Sequence, residues 1–165
     1  MKAIYLTGFM GSGKTTIAEE LSRVLSVPAI DTDEHLVTCT GKTIPTIFEE
    51  EGETAFRQYE SESLHDLPTQ GVIISTGGGI VLKEANRTYM KQNGTVIYLH
   101  CDPDEIINRL EGDTSRPLLA GKNKREKVEA IFSERLPLYR EAHYEIDTTN
   151  QSVIEIVKQI QRAIG

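Results

Sequence analysis

At 165 residues the chain has the length of one domain, enough to bury a core without disulfide or metal staples. Its 18 Lys and Arg stand against 25 Asp and Glu, a formal net charge of −7. That balance argues against nucleic acid or an anionic membrane surface as a partner, since both are held by clustered cations. A hydrophobic fraction of 38% and a charged fraction of 26% exclude a disordered composition.

In chain order, Lys2 to Thr7 (KAIYLT) reads as a short buried strand running into Gly8. Ile17, Leu21, Val24 and Leu25 then recur at helical spacing. Pro28 to Ile30 is a second strand candidate leading into Asp31-Thr32-Asp33, and a polar helix-like stretch from Glu34 to Leu67 follows, broken by Gly41, Pro45 and Gly52. Val72 to Ser75 is a third strand ending at Gly77-Gly78-Gly79; Thr95 to His100 is a fourth. Asp102-Pro103 then suits a helix start, with Asp as N-cap and Pro as the first helical residue. Glu111 to Lys127 is charged and poor in large apolar residues, and reads as mobile. A further helix, a weak fifth strand at Tyr144 to Ile146 and a closing helix with Val153, Ile156, Val157, Ile160 and Ile164 on one stripe complete the pattern. Strands alternating with helices predict an α/β fold with a parallel sheet covered on both faces, its ligands beyond the carboxyl ends of the strands. No leader or membrane-length apolar run is present, and Cys39 and Cys101 show neither metal nor redox spacing, so reduced thiols in a cytoplasmic protein are expected. The four histidines (His35, His65, His100, His143) show no ligand spacing and read as structural or exposed.

The strongest chemical signal is Gly8-Phe-Met-Gly11-Ser12-Gly13-Lys14-Thr15, which matches G-x-x-x-x-G-K-[ST] between a strand and a helix. Glycines allow the backbone N–H groups to wrap phosphates. Lys14 would reach the β- and γ-phosphates and the Thr15 hydroxyl would hold Mg²⁺. A lysine in the first turn of a helix opposes the helix dipole, which weighs against a merely solvated role. Asp31 and Asp33 would point the same way on an extended backbone, so both can face the cleft. They read either as a helix cap or as contacts to metal and to a substrate hydroxyl. The glycine triplet reads as a turn or as a close backbone approach to a ligand. Arg57 and Arg135 would suit an anionic substrate, each against the alternative of a solvated helix face. Arg116 suits a lid arginine that arrives on the transferring phosphoryl group. Asn123-Lys-Arg-Glu ends in the wrong acid for a guanine-reading motif, and Gly11-Ser-Gly13 lacks the third glycine of a dinucleotide fingerprint.

The ordered set G-F-M-G-S-G-K-T, D-T-D, G-E-x-x-F-R-x-x-E, G-G-G, R-P-L-L and R-L-P-L-Y resembles the shikimate kinases over nearly the whole chain. The resemblance implies a three-layer P-loop kinase fold, with a central five-stranded parallel sheet flanked by helices and a lid. It implies one domain over 1–165, with the phosphate loop at 8–15, a substrate-binding region at about 33–60 and the lid at about 111–124. It implies ATP-dependent phosphorylation of the 3-hydroxyl of shikimate, on the way to chorismate and aromatic amino acids, with one Mg²⁺ and a monomeric protein. Residue by residue, Asp33 matches the carboxylate on the shikimate hydroxyls, and Arg57 and Arg135 match the clamp on its carboxylate. Gly78 and Gly79 match backbone donors in the pocket, and Asp31 matches the acid near Mg²⁺. Phe48, Phe56 and Glu60 match residues that line the pocket or orient its arginines. Gly8, Gly11, Ser12, Gly13, Lys14, Thr15 and Thr16 are expected on ATP, with Arg109 over the adenine and Arg116 at the phosphates. Thr15 stands where many members carry serine, and Gln151 or Asn150 falls where the family often has an arginine beside the adenine. The alternatives are another small-molecule kinase of this fold, acting on gluconate or a nucleoside monophosphate, or a nucleotide-dependent switch.

Overall fold

The computed structural model describes residues 1–110 and 123–165. Most of the expected lid, and Arg116 within it, lie outside the described residues. The elements are β1 (Ala3–Thr7), α1 (Lys14–Leu25), β2 (Ala29–Asp31), α2 (Thr32–Thr40), α3 (Ile44–Asp66), β3 (Ile73–Ser75), a 3₁₀ turn (Ile80–Leu82), α4 (Glu84–Asn93), β4 (Gly94–His100), α5 (Pro103–Leu110), α6 (Lys124–Tyr139), β5 (Tyr144–Asp147) and α7 (Val153–Ile164).

The strands form one sheet in the order β2-β3-β1-β4-β5, every pair parallel. Because successive side chains of a strand point to opposite faces, the apolar run of β1 feeds two cores at once. Ala3 and Tyr5 join Ile74, Val96 and Tyr98 against Leu64, Met90, Ile106, Val128 and Phe132. Ile4 and Leu6 join Ile73, Ile97 and Leu99 against Ile17 and Leu21 of α1 and Ile156, Val157 and Ile160 of α7. A small third cluster of Leu36, Ile47 and Phe56 fastens α2 to α3.

Two local expectations change. The stretch after residue 40 breaks at Gly41 but not at Pro45, which sits in the first turn of α3 behind its Thr43 cap, where a missing N–H costs nothing. At Gly52 (φ 87°, ψ 172°) the backbone leaves the helical region, so α3 consists of two helical segments meeting at the expected break. The backbone also stops being extended after Asp31: Thr32 opens α2, and the Asp31 carboxylate caps that helix by accepting from Asp33 N at 2.8 Å and Glu34 N at 3.2 Å.

Candidate active site

The carboxyl ends of β1, β2 and β3 open on a cleft of about 590 Å³, lined among others by Gly11, Gly13, Lys14, Thr15, Thr16, Asp31, Asp33, Gly77, Gly78 and Arg109. The phosphate-loop wall is made by the backbone. Gly13 takes φ 88° to turn the chain into α1, a conformation that costs an L-residue roughly 1–2 kcal/mol. At Gly8 a Cβ would lie 2.7 Å from Leu99 O, so the loop sits directly on the neighbouring strand. Lys14 is folded into the loop, its Nζ donating to Gly8 O at 2.7 Å and Phe9 O at 3.0 Å. Ser12 is buried within the loop. Thr15 Oγ1 donates to Asp31 Oδ2 at 3.1 Å. Asp31 therefore caps α2 with one oxygen and meets the phosphate loop with the other.

Asp33, Gly77 and Gly78 line the opposite wall, and Glu60, Arg57 and Arg135, outside that lining, gather around the glycine triplet. None of Gly77, Gly78 and Gly79 has a positive φ; what each provides is room. A Cβ on Gly77 would stand 2.7 Å from Asp33 Oδ1 and 3.0 Å from Glu60 Oε2. One on Gly78 would stand 3.5 Å from Arg135 Nη1, and one on Gly79 only 2.1 Å from Arg57 Nη1. The triplet is thus a floor over which two acids and two arginines converge. The arginines are not solvated helix faces: Arg57 is 8% and Arg135 3% exposed. Arg57 Nη1 donates to both oxygens of Glu60, at 3.1 and 3.3 Å, and its guanidinium lies 5.1 Å from the Phe56 ring centre, with Phe48 against that ring. Glu60 is buried, and burial pushes its carboxyl up to about 7 in spite of the neighbouring Arg57, with Asp33 adding to the rise. Arg135 lies 5.8 Å from the Phe9 ring, and its Nη1 is buried with no hydrogen-bond partner among the described residues. A buried donor left unmet costs about 1–3 kcal/mol, a penalty that an anionic ligand would remove.

The profile of the family described as shikimate kinase matches residues 10–165. A shikimate kinase of Bacillus anthracis (strain CDC 684 / NRRL 3495) is 52% identical, the alignment covering 100% of this chain and 99% of that one. The chain belongs to the shikimate kinase family. The structure of shikimate kinase from Acinetobacter baumannii in complex with shikimate superposes with a TM-score of 0.96 at 38% identity, covering 99% of this chain and 93% of that one. A gluconokinase from Sinorhizobium meliloti 1021 reaches a TM-score of 0.60 at 14% identity, covering 98% and 90%, and shares the fold alone. The fold is therefore that of a P-loop kinase, and the activity is the family's, phosphorylation of shikimate with ATP.

Arg109, Asn150 and Gln151, expected at the nucleotide end, are placed differently. Arg109 donates from Nη1 to Gly11 O at 3.0 Å and from Nη2 to Glu105 at 2.7 Å, so it lies across the phosphate loop. It also borders a second depression of about 600 Å³ with Asp102, Asp104, Glu105, Asn108, Thr149 and Asn150. Gln151 is absent from that lining: its amide is spent on Asp147 O and Gln159. Asn150, at φ 58°, is part of that lining. Two contributors escape sequence reading. Thr32 Oγ1 accepts the Gly77 N–H at 3.1 Å and so ties α2 to the floor. Tyr139, whose hydroxyl burial pushes up to about 12, donates to Gly78 O at 2.5 Å. Thr32 stands between two eye-catching acids, and Tyr139 looks like ordinary core; only the position of the glycine carbonyl and amide reveals them.

Proposed function

We propose that ATP lies along the phosphate loop and shikimate on the glycine floor, so that its 3-hydroxyl faces the γ-phosphate inside the one cleft. The observation that carries this is the meeting of Lys14 and Thr15 on one wall with Asp33 and Gly77–Gly78 on the other. In transfer, the 3-hydroxyl oxygen bonds to the γ-phosphorus as the bond to the β–γ bridging oxygen breaks. The hydroxyl proton passes to Asp33 and ADP leaves. Phosphoryl transfer runs through a loose transition state, so positioning and charge neutralisation do most of the work. Asp33 orients the hydroxyl and accepts its proton. Lys14 leaves the loop carbonyls for the phosphates, where its charge stabilises the developing negative charge. Arg57 and Arg135 grip the substrate carboxylate as bidentate donors, and Glu60 holds Arg57 in place. Arg116 completes the charge set from outside the described residues.

The donors beside the phosphate loop suit a hard divalent cation, since Thr15 Oγ1 and Asp31 Oδ2 are neighbouring oxygens. Thr15 and Asp31 would hold Mg²⁺, which when bound with ATP neutralises the phosphate oxygens. Arg109 and Asn150 border the adenine. We further infer a cytoplasmic monomer. Both cysteines are free, as in a reducing compartment, and no described helix is long and apolar enough to cross a membrane. The large hydrophobics exposed among the described residues are the scattered Met1, Val24, Tyr144 and Ile154.

A coupled assay of ADP release with and without shikimate tests the reading, run on the wild type and on Arg135→Ala. Release that depends on shikimate, with a raised KM for shikimate in the variant, supports it. Release indifferent to shikimate, or a variant altered only in its KM for ATP, overturns it.

A further inference from the structure

Away from the cleft, α2 and the end of α3 bring together a cluster that the mechanism does not use. His35 and Cys39 are four residues apart on α2 and so share one face. Asp66 is the last residue of α3. His35 Nε2 is the hub: Cys39 Sγ lies 3.5 Å and Asp66 Oδ2 3.7 Å from it. One donor atom from each of the three lies within 4.8 Å of the others.

The two separations from His35 Nε2 are close to those of ligands around one small ion. A tetrahedral zinc-class cation, with bonds of about 2.05 Å to nitrogen or oxygen and about 2.3 Å to sulfur, sets nitrogen and sulfur about 3.5 Å apart and nitrogen and oxygen about 3.4 Å apart. The donor set is one imidazole, one thiol and one carboxylate. Such a set selects borderline and soft ions over Mg²⁺ or Ca²⁺, which take oxygen. Three protein ligands leave a fourth position, and the site is open enough to be reached: the His35 side chain is 27% and that of Asp66 62% exposed, with Cys39 at the surface.

We propose that His35, Cys39 and Asp66 form a surface site for a divalent cation of the zinc class, with a water molecule as fourth ligand. On binding, the metal–sulfur bond replaces the thiol S–H bond and the proton is released to solvent. No electron is exchanged. The bound ion links α2, which carries Asp33, to the far end of α3, which carries Arg57 and Glu60. It therefore cross-braces two of the elements that build the acceptor wall.

The test is a titration of the full-length protein with Co²⁺, with Mg²⁺ in excess so that hard oxygen sites are filled. The expected result is one Co²⁺ per chain, with tetrahedral visible absorption and a near-ultraviolet thiolate-to-cobalt band, both abolished by Zn²⁺. Cys39→Ser and Cys39→Ala lose the near-ultraviolet band. His35→Asn and either Cys39 variant lower the affinity at least about 10-fold, because even partners that merely orient a ligand are worth that much. Zn²⁺ raises the thermal midpoint of the wild type but not of Cys39→Ser, as expected for a ligand of the native state. Shikimate-dependent ADP release by the variants certifies their fold. A wild type without the thiolate band overturns the proposal, and the contacts are then a hydrogen bond and an ion pair. A band that survives in both Cys39 variants overturns it as well.

Discussion

The two walls of the cleft both depend on glycine, for opposite reasons. On the phosphate side Gly13 is needed for its own backbone, φ 88° at the entry to α1. On the acceptor side Gly79 has an ordinary φ of −96°, and is needed because a neighbour occupies its missing side chain's place: Arg57 Nη1 stands 2.1 Å from where a Cβ would be. The first wall is local and made of main chain. The second is tertiary, built from α2, α3, α6 and the turn after β3. A substitution in one should therefore act on the nucleotide, and in the other on the acceptor.

The largest effect is expected at the point where the walls meet. Asp33→Asn keeps the size of the side chain and removes its basicity; kcat should fall by about 10²-fold or more, with the affinity for an ATP analogue, measured by calorimetry, within about twofold. Loss of nucleotide affinity would assign Asp33 to the other wall. Gly79→Ala comes next. The methyl group must displace the Arg57 guanidinium, and a charge-assisted hydrogen bond worth about 1.5–3 kcal/mol to substrate goes with it. The KM for shikimate should rise roughly 10- to 100-fold while the KM for ATP stays put. Gly13→Ala should do the reverse: its strain of roughly 1–2 kcal/mol raises the KM for ATP about 5- to 30-fold and spares shikimate. If the two alanine variants gave the same pattern, the division between backbone and side-chain walls would be wrong.

Glu60 supplies a pH signature for the acceptor wall alone. Its folded value of about 7 lies above the ordinary 4.5, so the folded state binds the proton more tightly. Stability from this group is complete below about 4.5 and is lost as the pH rises through about 7. Thermal midpoints of the wild type should therefore decline across that window relative to Glu60→Gln, and parallel curves would refute the shift. The smallest effect belongs to the adenine end. Asn150→Ala should raise the KM for ATP about 2- to 13-fold, the worth of one neutral hydrogen bond, whereas Gln151→Ala should leave it unchanged. The opposite ranking would put Gln151 back on the nucleotide.

How much was legible follows the same division. The strands at 3–7, 73–75 and 94–100 announce themselves as apolar runs because both faces of the sheet are covered. The phosphate loop is a contiguous motif whose geometry is local. Gly52 does break the helical backbone of α3, whereas Pro45 does not, since a proline in the first turn is compatible with a helix. The expected extended backbone at Asp31–Asp33 was wrong although both acids do line the cleft; the helix turn, not strand alternation, aims Asp33. The histidines and Cys39 were dismissed for lack of ligand spacing, yet His35 and Cys39 sit at the helical i, i+4 interval and needed only Asp66, distant in the chain, to become a cluster.

The sequence by itself determined the parallel α/β fold, the phosphate loop with Lys14 and Thr15, and the family to which the chain belongs. These reside in short apolar runs and contiguous motifs, where period and glycine placement act over a few residues. Only the tertiary structure decided that Arg57 and Arg135 are buried beside the glycine floor, that Asn150 and not Gln151 lines the depression beside Arg109, and that burial raises the Glu60 carboxyl. Each of those depends on which distant segments meet. Burial and charge are properties of that meeting, and no local spacing encodes them.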